Sequence, residues 1–141
     1  MKDSSCIFCK IANGSIPSYK IYEDNDVIAF LDVNPASRGH SLVVTKEHFD
    51  SMVTCPRAIL DKAFEVAQLV AQAEIAQLGA DGVNVITNIG EASGQSVHHF
   101  HIHVIPRYEN DGLKLAFPPK QLQDSQMAEI KDSIKKGLQE K

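Results

Sequence analysis

A chain of 141 residues fits one folding unit, long enough to bury an ordinary core without disulfides. Hydrophobic residues at 43% and charged residues at 23% suit a soluble globular protein, no apolar stretch approaches the ~20 residues of a membrane helix, and the start MKDSSCIFCK lacks the apolar core of a secretory signal, so a cytoplasmic protein is expected. A formal net charge of −4 argues against binding to polymeric nucleic acid, which favours a basic patch, while small nucleotides need only local donors; the three cysteines, Cys6, Cys9 and Cys55, are an odd and uneven set that argues against a disulfide framework.

In chain order, residues 6–12 are compatible with a short helix ending at the Asn13-Gly14 turn. Residues 19–23 (YKIYE) and 26–33 (DVIAFLDV) are rich in β-branched and aromatic side chains and read as a hairpin. Residues 40–46 (HSLVVTK) make a third strand. From Pro56 to Leu78, Leu60, Phe64, Ala67, Val70 and Ala71 recur at helical spacing, with Pro56 near the start and Gly79 just past the end. Residues 82–88 and 97–105 supply two more strands. A last helix is expected over residues 125–138, where Met127, Ile130, Ile134 and Leu138 form one apolar stripe suited to a core or subunit contact. No repeat or linker divides the chain. The predicted class is α+β: a five-stranded antiparallel sheet with one main helix and a C-terminal helix, the helices on one side of the sheet.

The densest chemistry is in HHFHIH, residues 98–103, which holds four of the six histidines. From His99 onward histidine alternates with Phe100, Ile102 and Val104, the period of a strand, so His99, His101 and His103 should share one face, with neighbours roughly 6.6 Å apart. His98 should face away. Packing alone does not explain such a row, because every buried imidazole needs partners for two nitrogens. Two readings follow from the residues: a metal held by His-x-His with further ligands, or a neutral imidazole that attacks phosphorus and carries a phosphoryl or nucleotidyl group. The preceding turn, Gly90 to Ser96, is small and polar and can offer backbone N–H groups and a hydroxyl to an anion.

His99-Phe100-His101-Ile102-His103-Val104-Ile105 resembles the histidine-triad signature, in which histidine alternates with hydrophobic residues, and the GQSV before it resembles the Hint branch of that family. CIFCKIANGSIP, VIAFLDVNPASRGHSLVV, TKEHF and NVITNIGEASGQSVHHFHIHVIPR stand in the order and spacing of bacterial histidine-triad proteins across most of residues 6–107, whereas residues 108–141 match weakly. The resemblance implies a single histidine-triad domain and a nucleotide hydrolase or transferase acting at an α-phosphate. It implies His101 as nucleophile, His103 and His40 along the phosphate, and Ser96 with the Gln95 backbone on its oxygens or on the leaving group. Asp32 resembles the family's ribose-binding acid and Asn88 its phosphate-side asparagine, with Ile7, Phe8 and Ile28 as candidates to wall the base. The relatives imply a homodimer.

Cys6 and Cys9 form a lone CxxC. A redox role of the thioredoxin type would require a preceding strand, for which the N-terminus leaves no room. A structural zinc needs four ligands; His48 is assigned as the third, and the resemblance to zinc-bearing relatives places the fourth on His99. Zinc would then brace the strand while His101 stays free. The favoured activity is hydrolysis of purine nucleoside phosphoramidates or nucleotidyl conjugates. The alternatives are hydrolysis of dinucleoside polyphosphates, a non-catalytic zinc and nucleotide-binding module, and a metallohydrolase with zinc on His99, His101 and His103. The chain has no tryptophan, whereas Hint relatives commonly carry one near the C-terminus; Phe117 is the nearest candidate for its place.

Overall fold

The computed structural model describes residues 5–140. Three helices, α1 (Ile7–Ala12), α2 (Arg57–Leu78) and α3 (Asp124–Gln139), accompany five strands: β1 (Lys20–Glu23), β2 (Val27–Leu31), β3 (Ser41–Thr45), β4 (Gly82–Ile86) and β5 (His101–Arg107). The strands form one sheet in the order β1-β2-β3-β5-β4, every pairing antiparallel. The histidine strand therefore lies inside the sheet, between β3 and the edge strand β4. Its pairing sets Val44 opposite His101 and Leu42 opposite His103.

Alternation divides the apolar side chains between the two faces. Val27, Ala29, Val43, Phe100, Ile102 and Val104 pack under Ala63, Val66, Ala67 and Val70 of α2. On the other face Ile28, Phe30, Leu42 and Val44 pack against Phe8 of α1. The expectation that all helices lie on one side of the sheet is thus corrected, because α1 caps the histidine face. The cause is visible in VIAF of β2, which is buried at four successive positions and so needs cover on both sides.

The main helix matches its expected span to within a residue, but its buried face is turned. Ala63, Val66, Ala67, Val70 and Glu74 are buried, while Phe64 is partly exposed, its ring centroid 6.5 Å from that of Phe100. Small residues face the sheet because they let helix and strands approach closely. Gly79 ends the helix at φ 69°, in the left-handed region open to glycine, and its N–H bonds the Glu74 carbonyl. β5 begins at His101 rather than at 97 and runs on to Arg107. Pro106 is tolerated because pairing with β3 ends at Val104, leaving no ladder partner on that side. α3 forms as expected but buries none of its residues.

Candidate active site and metal-binding corner

The four residues predicted to bind metal come together. Cys6 and Cys9 sit on the first turn of α1, whose helical spacing turns both thiols to one side, and the Cys9 N–H bonds Cys6 Sγ at 3.4 Å. His48 follows β3 and His99 precedes β5. Nδ1 of His99 lies 3.3 Å from Cys6 Sγ and 3.5 Å from Cys9 Sγ, and Nδ1 of His48 lies 3.4 Å from Cys9 Sγ. All four ligand atoms fall within 4.8 Å of one another, so the group could hold one metal ion. The His99 ring is oriented for this from behind. Its Nε2–H donates to the Thr45 carbonyl at 2.7 Å, which leaves the Nδ1 lone pair facing the thiols.

The same accounting fixes the other imidazoles. His101 Nδ1–H donates to the His99 carbonyl at 2.6 Å, so Nε2 keeps its lone pair. The Ala36 N–H donates to His40 Nδ1 at 2.9 Å, so His40 Nε2 carries the proton and donates it to His103 Nδ1 at 2.9 Å. His103 is thereby left with Nε2–H as its free donor. A lone pair on His101 and an N–H on His103, rings 5.0 Å apart, are the complement of an electrophilic phosphorus and its oxygen. The 2.9 Å separation of His40 Nε2 from His103 Nδ1 is that of a hydrogen bond, with the Asp32 carboxylate 3.7 Å from His40 Nε2.

The electrostatics keep these rings neutral. Burial pushes His101 below the usual imidazole value, against the pull of the His99 carbonyl and of Asp32. His103 is lowered to about 4 by burial and by its neighbours His101 and His40, with Asp32 opposing. His40 is lowered by burial, again opposed by Asp32. His99 is lowered to about 4, mainly by burial. The Phe8 ring stands edge-on to His101 at a centroid distance of 4.9 Å.

Asp32, just past β2, accepts the Asn34 N–H at 2.8 Å and lies 3.7 Å from His40 Nε2. Its effect on His40, His101 and His103 places it on their side of the sheet. Asn88, half-buried, lies just beyond Thr87, whose hydroxyl donates to the His101 carbonyl at 2.7 Å. The Gln95 side chain is buried and already occupied: its Oε1 accepts the Gly90 N–H at 2.8 Å and its Nε2 donates to the carbonyls of Asp50 and Val97. It braces the turn, and its backbone N–H donates to the Gly90 carbonyl at 3.3 Å. Ser96 is exposed beside His48 and Cys6 in an open pocket of about 370 Å³. His98 points outward, 3.8 Å from Glu91. Phe8 and Ile28 belong to the small core, Ile7 is exposed, and Phe117 is fully outside. Two positioning groups escaped sequence reasoning, the Thr45 carbonyl and the Ala36 N–H. Backbone donors and acceptors occur at every residue and carry no sequence signal.

Residues 13–110 match the family model of the HIT domain. The chain belongs to the HIT family. It is 45% identical over 112 residues to an uncharacterized HIT-like protein of Methanocaldococcus jannaschii, covering 79% of this chain and 86% of that protein. It is 38% identical over 120 residues to the adenosine 5'-monophosphoramidase of Saccharomyces cerevisiae, covering 84% and 73%. A solved structure from Streptococcus mutans superposes with a TM-score of 0.92 at 36% identity, covering 97% of this HIT protein and 87% of that chain. A zinc-bound histidine triad family protein from Mycobacterium smegmatis superposes at 0.75 with 38% identity, covering 82% and 84%.

Proposed function

We propose that this HIT protein hydrolyses purine nucleoside phosphoramidates or related nucleotidyl conjugates through a nucleotidyl-histidine intermediate. The observation that carries the reading is the fixed tautomer of His101, whose Nδ1–H is held by the His99 carbonyl so that Nε2 is an available nucleophile. Nε2 forms a bond to the α-phosphorus as the P–N bond to the leaving amine breaks, and the amine departs with a proton. Water then adds to phosphorus and loses a proton, the P–Nε2 bond breaks, and neutral His101 returns. His103 Nε2–H, supported by His40, bonds a phosphate oxygen as charge grows on it. Ser96 approaches the same oxygens or the leaving group from the turn that Gln95 braces, Asn88 contributes from the phosphate side, and Asp32 accepts from the ribose hydroxyls. The name of the yeast relative supports the phosphoramidase reading.

The metal assigned to Cys6, Cys9, His48 and His99 is zinc. A tetrahedral zinc with bonds of about 2.3 Å to sulfur and about 2.0–2.1 Å to nitrogen sets its donors roughly 3.3–3.8 Å apart, and the S–N separations of 3.3–3.5 Å agree. With four protein ligands its role is to hold His99, whose carbonyl in turn orients His101. The protein is read as one HIT domain with residues 108–141 as an extension, acting as a homodimer in the cytoplasm; no helix among the described residues is long and apolar enough to cross a membrane.

Quenching a reaction with α-³²P-labelled nucleotide should leave the label on His101, located by peptide mapping. Finding no label, with hydrolysis intact in His101→Ala, would exclude the covalent route. Turnover of an adenosine phosphoramidate against diadenosine tri- and tetraphosphates on one preparation decides substrate class. A preference for the polyphosphates would reverse the assignment.

A further inference from the structure

The turn from Gly90 to Ser96 is closed by one buried side chain. Gln95 is 6% exposed and both polar atoms of its amide are bonded: Oε1 accepts the Gly90 N–H at 2.8 Å, while Nε2–H donates to the Asp50 carbonyl at 2.7 Å and to the Val97 carbonyl at 3.1 Å. Its backbone N–H returns to the Gly90 carbonyl at 3.3 Å, so the turn is tied on both sides of Gly90. The bond to Asp50 is of another kind. It leaves the turn and spans 45 positions of sequence to reach the segment that follows β3.

That segment carries a candidate metal ligand. His48, Phe49 and Asp50 lie in no strand or helix, and single contacts fix them in place. His48 Nδ1 lies 3.4 Å from Cys9 Sγ, the Asp50 carboxylate lies 3.4 Å from His48 Nε2, and the Phe49 carbonyl accepts the Phe100 N–H at 2.6 Å. Backbone outside a ladder opens more readily than backbone inside one, so a metal bond on His48 governs how firmly the Asp50 carbonyl, two residues on, is held. Gln95 must follow that carbonyl, because a buried amide with unmade hydrogen bonds is disfavoured. Gly90 follows Gln95, and the turn that ends at Ser96 follows both. The two regions also share a wall, since Cys6, His48, Asp50 and Ser96 line the same open pocket. This path is separate from the one through the His99 carbonyl, which acts on the tautomer of His101 and not on the turn.

We propose that Gln95 is a positioning residue that links the metal corner to the phosphate turn, so that zinc on Cys6, Cys9, His48 and His99 and a nucleotide phosphate at the turn tighten each other's binding. This link rests on the hydrolase reading, in which Gly90 to Ser96 takes the phosphate, and adds a connection to the metal that the reading does not contain. Thermodynamic linkage makes the two effects equal: the factor by which zinc lowers the Kd for nucleotide is the factor by which nucleotide lowers the Kd for zinc. A side chain that only stabilised the fold would change both affinities and leave that factor alone.

Zinc and adenosine 5'-monophosphate are the probes, on the full chain. Calorimetric titration should show the nucleotide binding the zinc-loaded protein about fivefold or more tighter than the zinc-stripped protein, and competition with a chromophoric chelator should show zinc held tighter by the same factor when the nucleotide is saturating. Gln95→Met, which keeps the bulk and removes the amide, should bring both factors to within about twofold of one while zinc and nucleotide still bind. Gln95→Glu keeps an acceptor for the Gly90 N–H but, ionised, offers Asp50 no donor, and should do the same. Asp50→Ala keeps the backbone carbonyl that Gln95 holds, so it should weaken zinc by up to about tenfold and leave the factor as in wild type. Circular dichroism checks that each protein is folded. Independent binding of zinc and nucleotide in wild type, a factor that survives in both Gln95 variants, or a factor lost as fully in Asp50→Ala would each overturn the proposal. A wild type that binds no nucleotide at all would overturn the hydrolase reading and this link with it.

Discussion

His99 and His103 stand four residues apart on one face, yet the structure presents opposite ring groups from them. At His99 the backbone acceptor is on Nε2, so the lone pair is presented from Nδ1 toward two thiols. At His103 the neighbour on Nδ1 is a donor, His40, so what is presented is an N–H from Nε2. One residue type thus presents a lone pair at one end and an N–H at the other, as the proposed metal ligand and phosphate donor require, and the hydrogen bond made by the second ring nitrogen decides which. His101, between them, is joined to the metal end through the His99 carbonyl and to the phosphate end by ring contact with His103.

This division can be broken most completely at its middle. His101→Ala is expected to lower kcat/KM by at least about 10³-fold while zinc content and melting temperature hold, since it removes the nucleophile but no metal ligand. Steady-state kinetics with metal analysis on the same sample checks it. Next in size is the metal end. Cys6→Ser/Cys9→Ser should lose zinc and melt roughly 10 °C or more lower in calorimetry, because the bound ion stabilises only the folded chain. Some turnover should survive, and wild type treated with a strong chelator should show the same fall. If chelation abolished turnover without lowering the melting temperature, the metal would be acting in chemistry and the division would fail.

The phosphate end should respond more mildly. His40→Phe removes the donor that holds the His103 tautomer, with an expected loss of about 10–100-fold in kcat and little change in zinc content. The smallest effect concerns pH. His101 and His40 are held below the ordinary imidazole value of 6.5, and His103 at about 4, so the neutral, active forms persist across neutral pH. Activity should be lost only as pH falls below 6.5, and stability should fall on the same side, because there the unfolded chain binds more protons than the folded one. Asp32 pulls all three rings upward, so Asp32→Asn should displace the acid limb of kcat/KM to lower pH. A limb that moved upward would show that Asp32 does not face them.

Much of this site was legible before any coordinates. The alternation from His99 to Val104 requires only that the segment be extended, and the pairing of β5 with β3 preserves the common face even though the strand starts at His101. The CxxC was legible because two thiols one helical turn apart turn to one side. Less legible was which side of the sheet each helix covers. VIAF shows a strand buried on both faces, but not that six residues of α1 supply the second cover. The buried face of α2 differs from the expected stripe at Phe64, since several stripes of similar hydrophobicity run along a helix of alanine and valine, and close approach to the sheet selects the smaller side chains.

By itself the sequence determined the class of the fold, the strand that carries the histidines and the residue types at both of its ends, because these follow from local periodicity and motif. Only the tertiary structure decided the tautomers of His99, His101, His40 and His103: those of His99 and His103 depend on a group brought near from elsewhere in the chain, and those of His101 and His40 on the conformation that turns the nearby His99 carbonyl and Ala36 N–H onto the ring. It alone left Glu74 buried without a hydrogen-bond partner, and α3 exposed along its length, among the described residues. Burial and hydrogen-bond satisfaction are properties of contacts between distant segments, and no window of sequence contains them.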